Sequence, residues 1–473
     1  MTGTAEAEVV VSRREQRDRN AAQRRAERTF RMALGAIMAL GLAIRAAFVL
    51  IRQSGVELVT GDAFWYHFQA KLVAEGKGFL HPFEYYEHGV EAAGADHPPG
   101  FVAILAVLDL LGIDTPQGQR LVMCLVGTAS IAVIGLLGRR LATPVVGLIA
   151  AGIAAVYPNL WINDGMLMVE TVFIFATAVA LLCTYRYLER PRRGELLLVS
   201  AALTLAALTR PESLLMFAVL VLPLVLARHA LPWRERLVHL VLAALVPLLA
   251  FAPWAVYNLG RFEVPVLIST GAGQTLAAGN CDLTYSGDHL GFYNTRCLLE
   301  PQIEPPTAED LSVRDGQYRE IALDYMRDHL GELPKVMAAR VGRVWHLYRP
   351  GQSIGLDGFV EGRSGGPPGT SHELVREALW AYYALMPLAI AGLVVLRRRG
   401  WQVYPLLAQP LIVTLTAAAT FGITRYRAGA EVSIVICAAV AIGACASRMA
   451  RPTAEDRHEQ KSPPPAAAGK AET

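Results

Sequence analysis

Residues 31–51 read RMALGAIMALGLAIRAAFVLI, an apolar run long enough to cross a bilayer as a helix. A polar arm precedes it, carrying Arg13, Arg14, Arg17, Arg19, Arg24, Arg25 and Arg28. That order does not fit a cleaved secretory leader. It predicts a retained first span with a cytoplasmic, disordered basic arm over 1–30.

Nine further runs of the same kind follow. They are 119–138, 145–162, 165–185, 195–209, 213–227, 237–257, 377–396, 403–421 and 430–447. The whole chain is 53% hydrophobic and only 18% charged, against about 25% in a typical soluble domain. A net charge of +3 over 473 residues gives no reason to expect a nucleic-acid partner. Arg-rich junctions, such as Arg139-Arg140, Arg186 through Arg193, Arg228 through Arg236 and Arg397 through Arg399, mark one side as cytoplasmic. Ten crossings join them with both termini inside. The apolar segment 98–113 contains Asp109 and is short, so it is read as a partial or re-entrant helix; a full crossing would invert every later loop.

The expected fold class is therefore an all-α polytopic plasma-membrane protein with about 10–11 transmembrane helices. One membrane domain spans 31–447, and a Pro-, Ala- and charge-rich tail over 448–473 is expected to be disordered and cytoplasmic. Two large extracytoplasmic loops, 52–118 and 258–376, should carry surface helices. FWYHFQAKLVAEG suits one lying on the membrane, and EDLSVRDGQYREIALDYMRDHL and ELPKVMAARVGRVWHLY suit two more.

The residues that could carry chemistry gather on the outer ends of these spans. Asp62, in TGDAFWYH, follows the first span, with Phe64, Trp65 and Tyr66 as interface anchors. It reads either as a base for an acceptor hydroxyl or as a cap on the helix that follows. In DHPPG, Asp96 and His97 precede two prolines that start a helix. His67, His81, His88 and His97 match no tight ligand spacing, so no metal site is expected. Asp164 and Glu170 lie in YPNLWINDGMLMVETVF, with Glu170 one to two turns inside its span, and Arg210 and Glu212 lie in TRPES. Acids inside a membrane are costly and are usually paired or functional. These four form either an interhelical ion pair or an outward-opening polar cavity. Arg425 and Arg427, in FGITRYRAGAEV, sit where positive residues are depleted; they call for an anion, a phosphate above all, or for loop acids.

The loop containing STGAGQTLAAGNCDLTYSGDHLGFYNTRC mixes Gly, Asn (Asn280 among them) and Ser with aromatic rings, a composition that suits sugar recognition. Cys281 and Cys297 enclose fifteen residues there. They form a disulfide worth about 3 kcal/mol if that face is oxidising, and otherwise remain two thiols. Cys124, Cys183, Cys437 and Cys445 lie inside apolar runs.

In order along the chain, GDAFWYH, DHPPG, MLMVETVF, TRPES, PWAVYN, STGAGQTLAAGN and RYR resemble the glycosyltransferase C superfamily. The likeness is to the branch of dolichyl-phosphate-mannose protein mannosyltransferases and bacterial aminoarabinose transferases of lipid A, a family 39-like membrane protein. It extends from about residue 31 to 447, and the order of the motifs carries it. It implies inverting transfer from a polyprenyl-phosphate sugar to a lipid, glycan or protein acceptor on the outer face, without a cofactor or divalent metal. It implies that Asp62 is the base, with Asp96 and His97 near the site. Arg425 and Arg427, with Arg210 or Lys335, are the candidate phosphate ligands. Two departures stand out: Ala63 follows Asp62 where an acid is common, and Tyr257 occupies the PWAVYN position where Arg is expected.

The rival reading is a transporter or flippase of a lipid-linked glycan. It calls for inverted repeats and broken helices in matched halves, and no repeat is visible.

Overall fold

The computed structural model describes the backbone of residues 3–58, 61–299, 310–360 and 372–449, and side chains over 20–58, 61–298, 310–355 and 372–447. Among these residues the chain is helical, apart from loops and one isolated bridge between Leu80 and Ala93.

The first helix, α1 (Gly3–Ala47), runs into a π turn at Phe48–Arg52. The first large loop holds α2 (Gly61–Ala74), α3 (Pro82–His88) and α4 (Pro99–Leu110). Next come α5 (Pro116–Leu141), α6 (Pro144–Val156), the short α7 (Pro158–Trp161), α8 (Glu170–Glu189) and α9 (Arg193–Ala207). A 3₁₀ turn at Pro211–Leu214 and a π turn at Phe217–Val221 lead into α10 (Leu222–Leu226) and α11 (Trp233–Asn258). The second large loop folds into α12 (Ala272–Gly279), α13 (Asp282–Tyr285), α14 (Arg296–Leu299), α15 (Leu311–Asp328), α16 (Leu333–Val344) and α17 (Pro350–Val360). Helices α18 (Glu373–Arg398) and α19 (Tyr404–Ala419), a 3₁₀ turn at Thr424–Arg427 and α20 (Ala428–Met449) complete the chain. Proline opens many of these helices, where its missing N–H costs nothing. Thr115 and Thr143 cap α5 and α6 through Gly118 N and Val146 N, at 3.1 and 3.3 Å.

Among the described residues, six helices are long and apolar enough to cross a membrane: Asn20–Arg52, Pro116–Leu141, Glu170–Glu189, Trp233–Asn258, Glu373–Arg398 and Thr424–Ser447. The protein is a multi-pass, all-α membrane protein. The segment expected as one span over 145–162 is instead bent by 64° between α6 and Pro158–Gly165, because Pro158 cannot donate to the preceding turn. Helix α9, the Pro211–Leu226 stretch and α19 are shorter apolar segments. Helix α4 covers the ambiguous 98–113 segment with 12 residues. At 1.5 Å per residue it is about 18 Å long, too short for a ~30 Å core.

Two further sequence expectations change. The arm read as disordered is helical from Gly3 onward and continuous with the first span. Its Ala, Glu, Gln and Arg residues are strong helix formers, and it contains no proline. The tail from 450 lies outside the described residues. Second, the 165–185 span starts at Glu170, because Leu167 takes a left-handed φ of 54° and breaks the chain's helical path. Glu170 therefore heads its helix, where a carboxylate faces the positive end of the helix dipole.

Helix α20 is the hub. Val432, Val435, Ile436, Ala439 and Val440 are all buried, packed with α18, α6 and α8. Gly392 lets α18 approach closely; a Cβ there would stand 1.7 Å from Cys437 O. The bundle has two distinct ends. At one, arginines of the Arg-rich junctions pair with glutamates: Arg139–Glu27 and Arg140–Glu189 at 2.5 Å, Arg186–Glu195 at 2.7 Å and Arg193–Glu235 at 2.9 Å. At the other, the start of α8, the end of α9 and the turn before α20 converge.

Candidate active site

That second end holds a chain of alternating charges. Arg425 Nη2 lies 2.7 Å from Asp62 Oδ2, and its Nε donates to Glu170 Oε1 at 2.5 Å. Glu170 Oε1 also accepts from Arg210 Nη2, and Arg210 Nη1 reaches Glu212 Oε1 at 3.1 Å. His97 Nε2 stands 3.7 Å from Asp62 Oδ1. Exposure rises along the chain, from 1% for Glu170 and 7% for Arg210 to 16% for Arg425 and 32% for Asp62. The buried half is anchored, and the Asp62 half meets solvent.

Each member owes its place to local sequence. Asp62 is in the first turn of α2, behind Gly61, whose φ of 77° suits glycine. Tyr66, one turn on, is buried with its ring 4.7 Å from His97 and 5.1 Å from Phe101. Pro98 and Pro99 end the backbone at His97 and start α4. Arg210 follows α9, and Pro211 turns the chain so that its guanidinium lies over the Phe173 and Tyr426 rings. The turn carrying Arg425 is backed by the second loop. Gly422 N donates to Gly291 O at 2.9 Å. A Cβ on Gly422 would fall 2.1 Å from Arg340 O. Arg340, fully buried, donates to Gly279 O and Asn280 Oδ1 at 2.7 and 2.8 Å and to Ala418 O at 3.1 Å. It thereby ties the loop to the helix end before the turn.

Electrostatics follow the geometry. Burial pushes the Asp62 carboxyl up, but the Arg425 guanidinium and His97 outweigh it and hold the group below the usual carboxylate range. Burial and the neighbouring Asp62 push the Tyr66 phenol well above its ordinary value, so Tyr66 remains a neutral hydrogen-bonding group. Glu170 Oε2 and Arg210 Nε are buried without a hydrogen-bond partner among the described residues. An acceptor and a donor in that state are open to a polar ligand.

Other residues singled out in the sequence lie elsewhere or serve as braces. Asp96 Oδ1 accepts from Thr270 Oγ1 at 2.8 Å and fastens the first loop to the second. Asp164 pairs with Arg45 of α1 at 2.6 Å, both 2% exposed, and accepts from Thr171 at 2.8 Å. Arg427 is buried and bonds Glu431 at 2.6 Å, with the Tyr382 ring 3.8 Å away. The expectation that Arg427 joins Arg425 at a surface anion is therefore corrected: two residues along a 3₁₀ turn, the side chains point to different places. Asn280 accepts from Tyr285 Oη and Arg340, and Lys335 is exposed on α16. Cys281 and Cys297 are joined as a disulfide, their Cα atoms 5.9 Å apart. Tyr257 accepts from Phe79 N at 3.3 Å and lies beneath Arg261 at 4.4 Å. Among the described residues, no group of three or more His, Cys, Asp or Glu side chains gathers as metal ligands. Sequence reasoning missed Arg45 and Arg340, and took Tyr66 only as an interface anchor. The signal for Arg340 was present, since Val336, Ala339, Arg340, Arg343 and Val344 share one buried face of α16.

The Arg45–Asp164 pair makes its own prediction. Asp164→Asn leaves Arg45 charged, unpaired and buried, and should cost about 3–5 kcal/mol. Thermal unfolding of the purified protein measures it, and the double variant Arg45→Met/Asp164→Leu should recover most of the loss. Equal melting temperatures for Asp164→Asn and wild type would refute the assignment.

Residues 96–257 match the family model described as dolichyl-phosphate-mannose-protein mannosyltransferase. The matched stretch holds His97, Glu170, Arg210 and Glu212, whereas Asp62 and Arg425 lie outside it. The archaeal oligosaccharyltransferase of Archaeoglobus fulgidus, tethered to an acceptor peptide, superposes with a TM-score of 0.51 at 14% identity. That alignment covers 88% of this chain and 50% of the other. The chain has a glycosyltransferase C fold. A second structure of the Archaeoglobus fulgidus enzyme, AglB with an inhibitory peptide and a dolichol-phosphate, gives 0.50 at 15% identity, over 93% of this chain and 52% of that one. ArnT from Cupriavidus metallidurans, bound to undecaprenyl phosphate, gives 0.40 at 15% identity, over 86% and 78% of the two chains, too distant to argue from. The chain spans about half the length of the archaeal enzymes it matches. No curated protein matches by sequence.

Proposed function

We propose that the chain transfers a sugar from a polyprenyl-phosphate donor to an acceptor hydroxyl, with inversion, on the extracytoplasmic face of the plasma membrane. The observation that carries the reading is the joining of Asp62, Arg425, Glu170 and Arg210 at one end of a glycosyltransferase C fold. The family match and the dolichol-phosphate held by the archaeal AglB support the donor class.

In this mechanism Asp62 takes the proton of the acceptor hydroxyl. The acceptor oxygen bonds to the anomeric carbon from the side opposite the phosphate. The bond between that carbon and the phosphate oxygen breaks, and the polyprenyl phosphate leaves with the electron pair. Arg425, supported by Glu170, faces the developing phosphate charge, and Arg210 stands behind it. Fixed guanidinium groups in a poorly hydrated site make the larger electrostatic contribution. These cations belong to the protein, so the mechanism calls on no metal. The apolar spans beside the cluster accommodate the lipid tail, and the orphaned Glu170 Oε2 and Arg210 Nε offer polar contacts to the donor. The side assignment rests on the paired arginines at the opposite end, which the positive-inside rule puts in the cytoplasm.

The test is transfer by the purified full chain in lipid, supplied with a panel of polyprenyl-phosphate sugars and hydroxyl acceptors, with product anomers read by NMR. One donor should yield product of inverted configuration. Retained configuration, or no transfer from any donor, would overturn the proposal.

A further inference from the structure

We infer that Arg425 is shared in turn between Asp62 and the donor phosphate, so that donor binding itself frees the base. The inference rests on the transferase reading above and adds an order of events to it.

The two carboxylates holding Arg425 are unequal. Glu170 is 1% exposed, heads α8 and is also held by Arg210. Asp62 is 32% exposed, comes from α2, and has His97 at 3.7 Å from its other oxygen. The Glu170 contact is a pivot, and the Asp62 contact is the side open to an arriving ligand. Three carboxylates (Asp62, Glu170, Glu212) face two guanidiniums (Arg210, Arg425), so both guanidiniums are already matched by carboxylates before a phosphate arrives. An anionic phosphate gains a guanidinium when one carboxylate gives up its partner. A phosphate presents more charge and more acceptor oxygens to a guanidinium than a carboxylate does. Asp62 is the most exposed of the three carboxylates, so its release costs the least.

The consequence is a quenched resting state. While Arg425 holds Asp62, the carboxylate is a weak base. When Arg425 swings to the phosphate, about the Glu170 contact, Asp62 is uncovered beside the anomeric carbon. An acceptor that arrives before the donor meets no free base.

The experiment measures binding of undecaprenyl phosphate to the full chain in lipid nanodiscs, with undecaprenol as the control for the tail. Asp62→Asn should bind the phosphate at least tenfold more tightly than wild type, because Arg425 no longer has an Asp62 carboxylate to give up, and should bind the alcohol equally. Asp62→Ser, which also removes the charge, serves if the Asn variant does not fold. Glu212→Gln removes a cluster charge paired with Arg210 and should tighten binding by a clearly smaller factor. Equal or weaker phosphate binding by the Asp62 variants overturns the inference, as does a Glu212→Gln gain as large as theirs; either result leaves the transferase reading intact. A wild-type protein that does not distinguish the phosphate from the alcohol overturns both.

Discussion

Asp62→Asn is expected to lower sugar transfer by about 10²–10⁴-fold, the span that a positioned general base contributes. Asparagine keeps the shape and one acceptor oxygen but cannot take the acceptor's proton. The loss should fall on kcat, because the variant still presents Arg425 and Arg210 to the donor. The fold should survive. Asp62 lies at the wet edge of the cluster, and Arg425 keeps its bond to Glu170, so no charge is left buried and alone. Partly exposed pairs of this kind contribute little to stability. Rates under saturating donor, measured beside melting temperatures, separate the two effects. Wild-type kcat in Asp62→Asn would remove Asp62 from the chemistry. A large drop in melting temperature would make it a structural residue instead. Paired with the binding experiment, the expected phenotype is unusual: a variant that holds the lipid phosphate more tightly and transfers almost nothing.

The membrane architecture was legible because it is written in long signals. Runs of apolar residues identify helices without any knowledge of contacts, although 145–162 is a bent pair and the helix expected over 165–185 starts at Glu170. Asp62, His97, Glu170, Arg210 and Arg425, which the motifs singled out, come together at one end of the bundle. What the sequence could not supply was pairing. Arg425 and Arg427 are equivalent on paper, yet one meets Asp62 and Glu170 while the other is buried against Glu431 and Tyr382. Asp164 and Glu170 are two acids six residues apart, separated in the structure by the left-handed Leu167, so that one joins Arg45 and the other joins Arg210. Partner choice depends on how α1, α9 and α20 pack against α8, and no local period encodes that. In the basic arm, charge points to disorder while the helix-forming residues continue the first span as helix from Gly3.

Arg425→Gln should be the most informative single change, because it alters a rate and a titration together. Removing the guanidinium that faces the leaving phosphate should cost about 10²–10³-fold in kcat, the usual loss for one fixed donor at a developing oxyanion. The titration has a definite sign. In the intact site burial raises the Asp62 carboxyl, and Arg425 with His97 brings it below the ordinary range. Without Arg425, burial and the nearby Glu170 carboxylate both push upward against His97 alone. Asp62 acts ionised, so activity is present above its pKa and is lost as pH falls through it. The acid limb of kcat/KM, which reports the free enzyme, should therefore move to higher pH in Arg425→Gln. The pH profile distinguishes this role from a purely structural one, which would lower the rate at every pH without shifting the limb. A lower rate with an unmoved limb would mean that the titrating base is some group other than Asp62. The neighbouring Arg427 offers the contrast that makes the result readable. It is bonded to Glu431 and to Val344 O inside the helical core, has no contact with Asp62 among those described, and has no reason to move the limb.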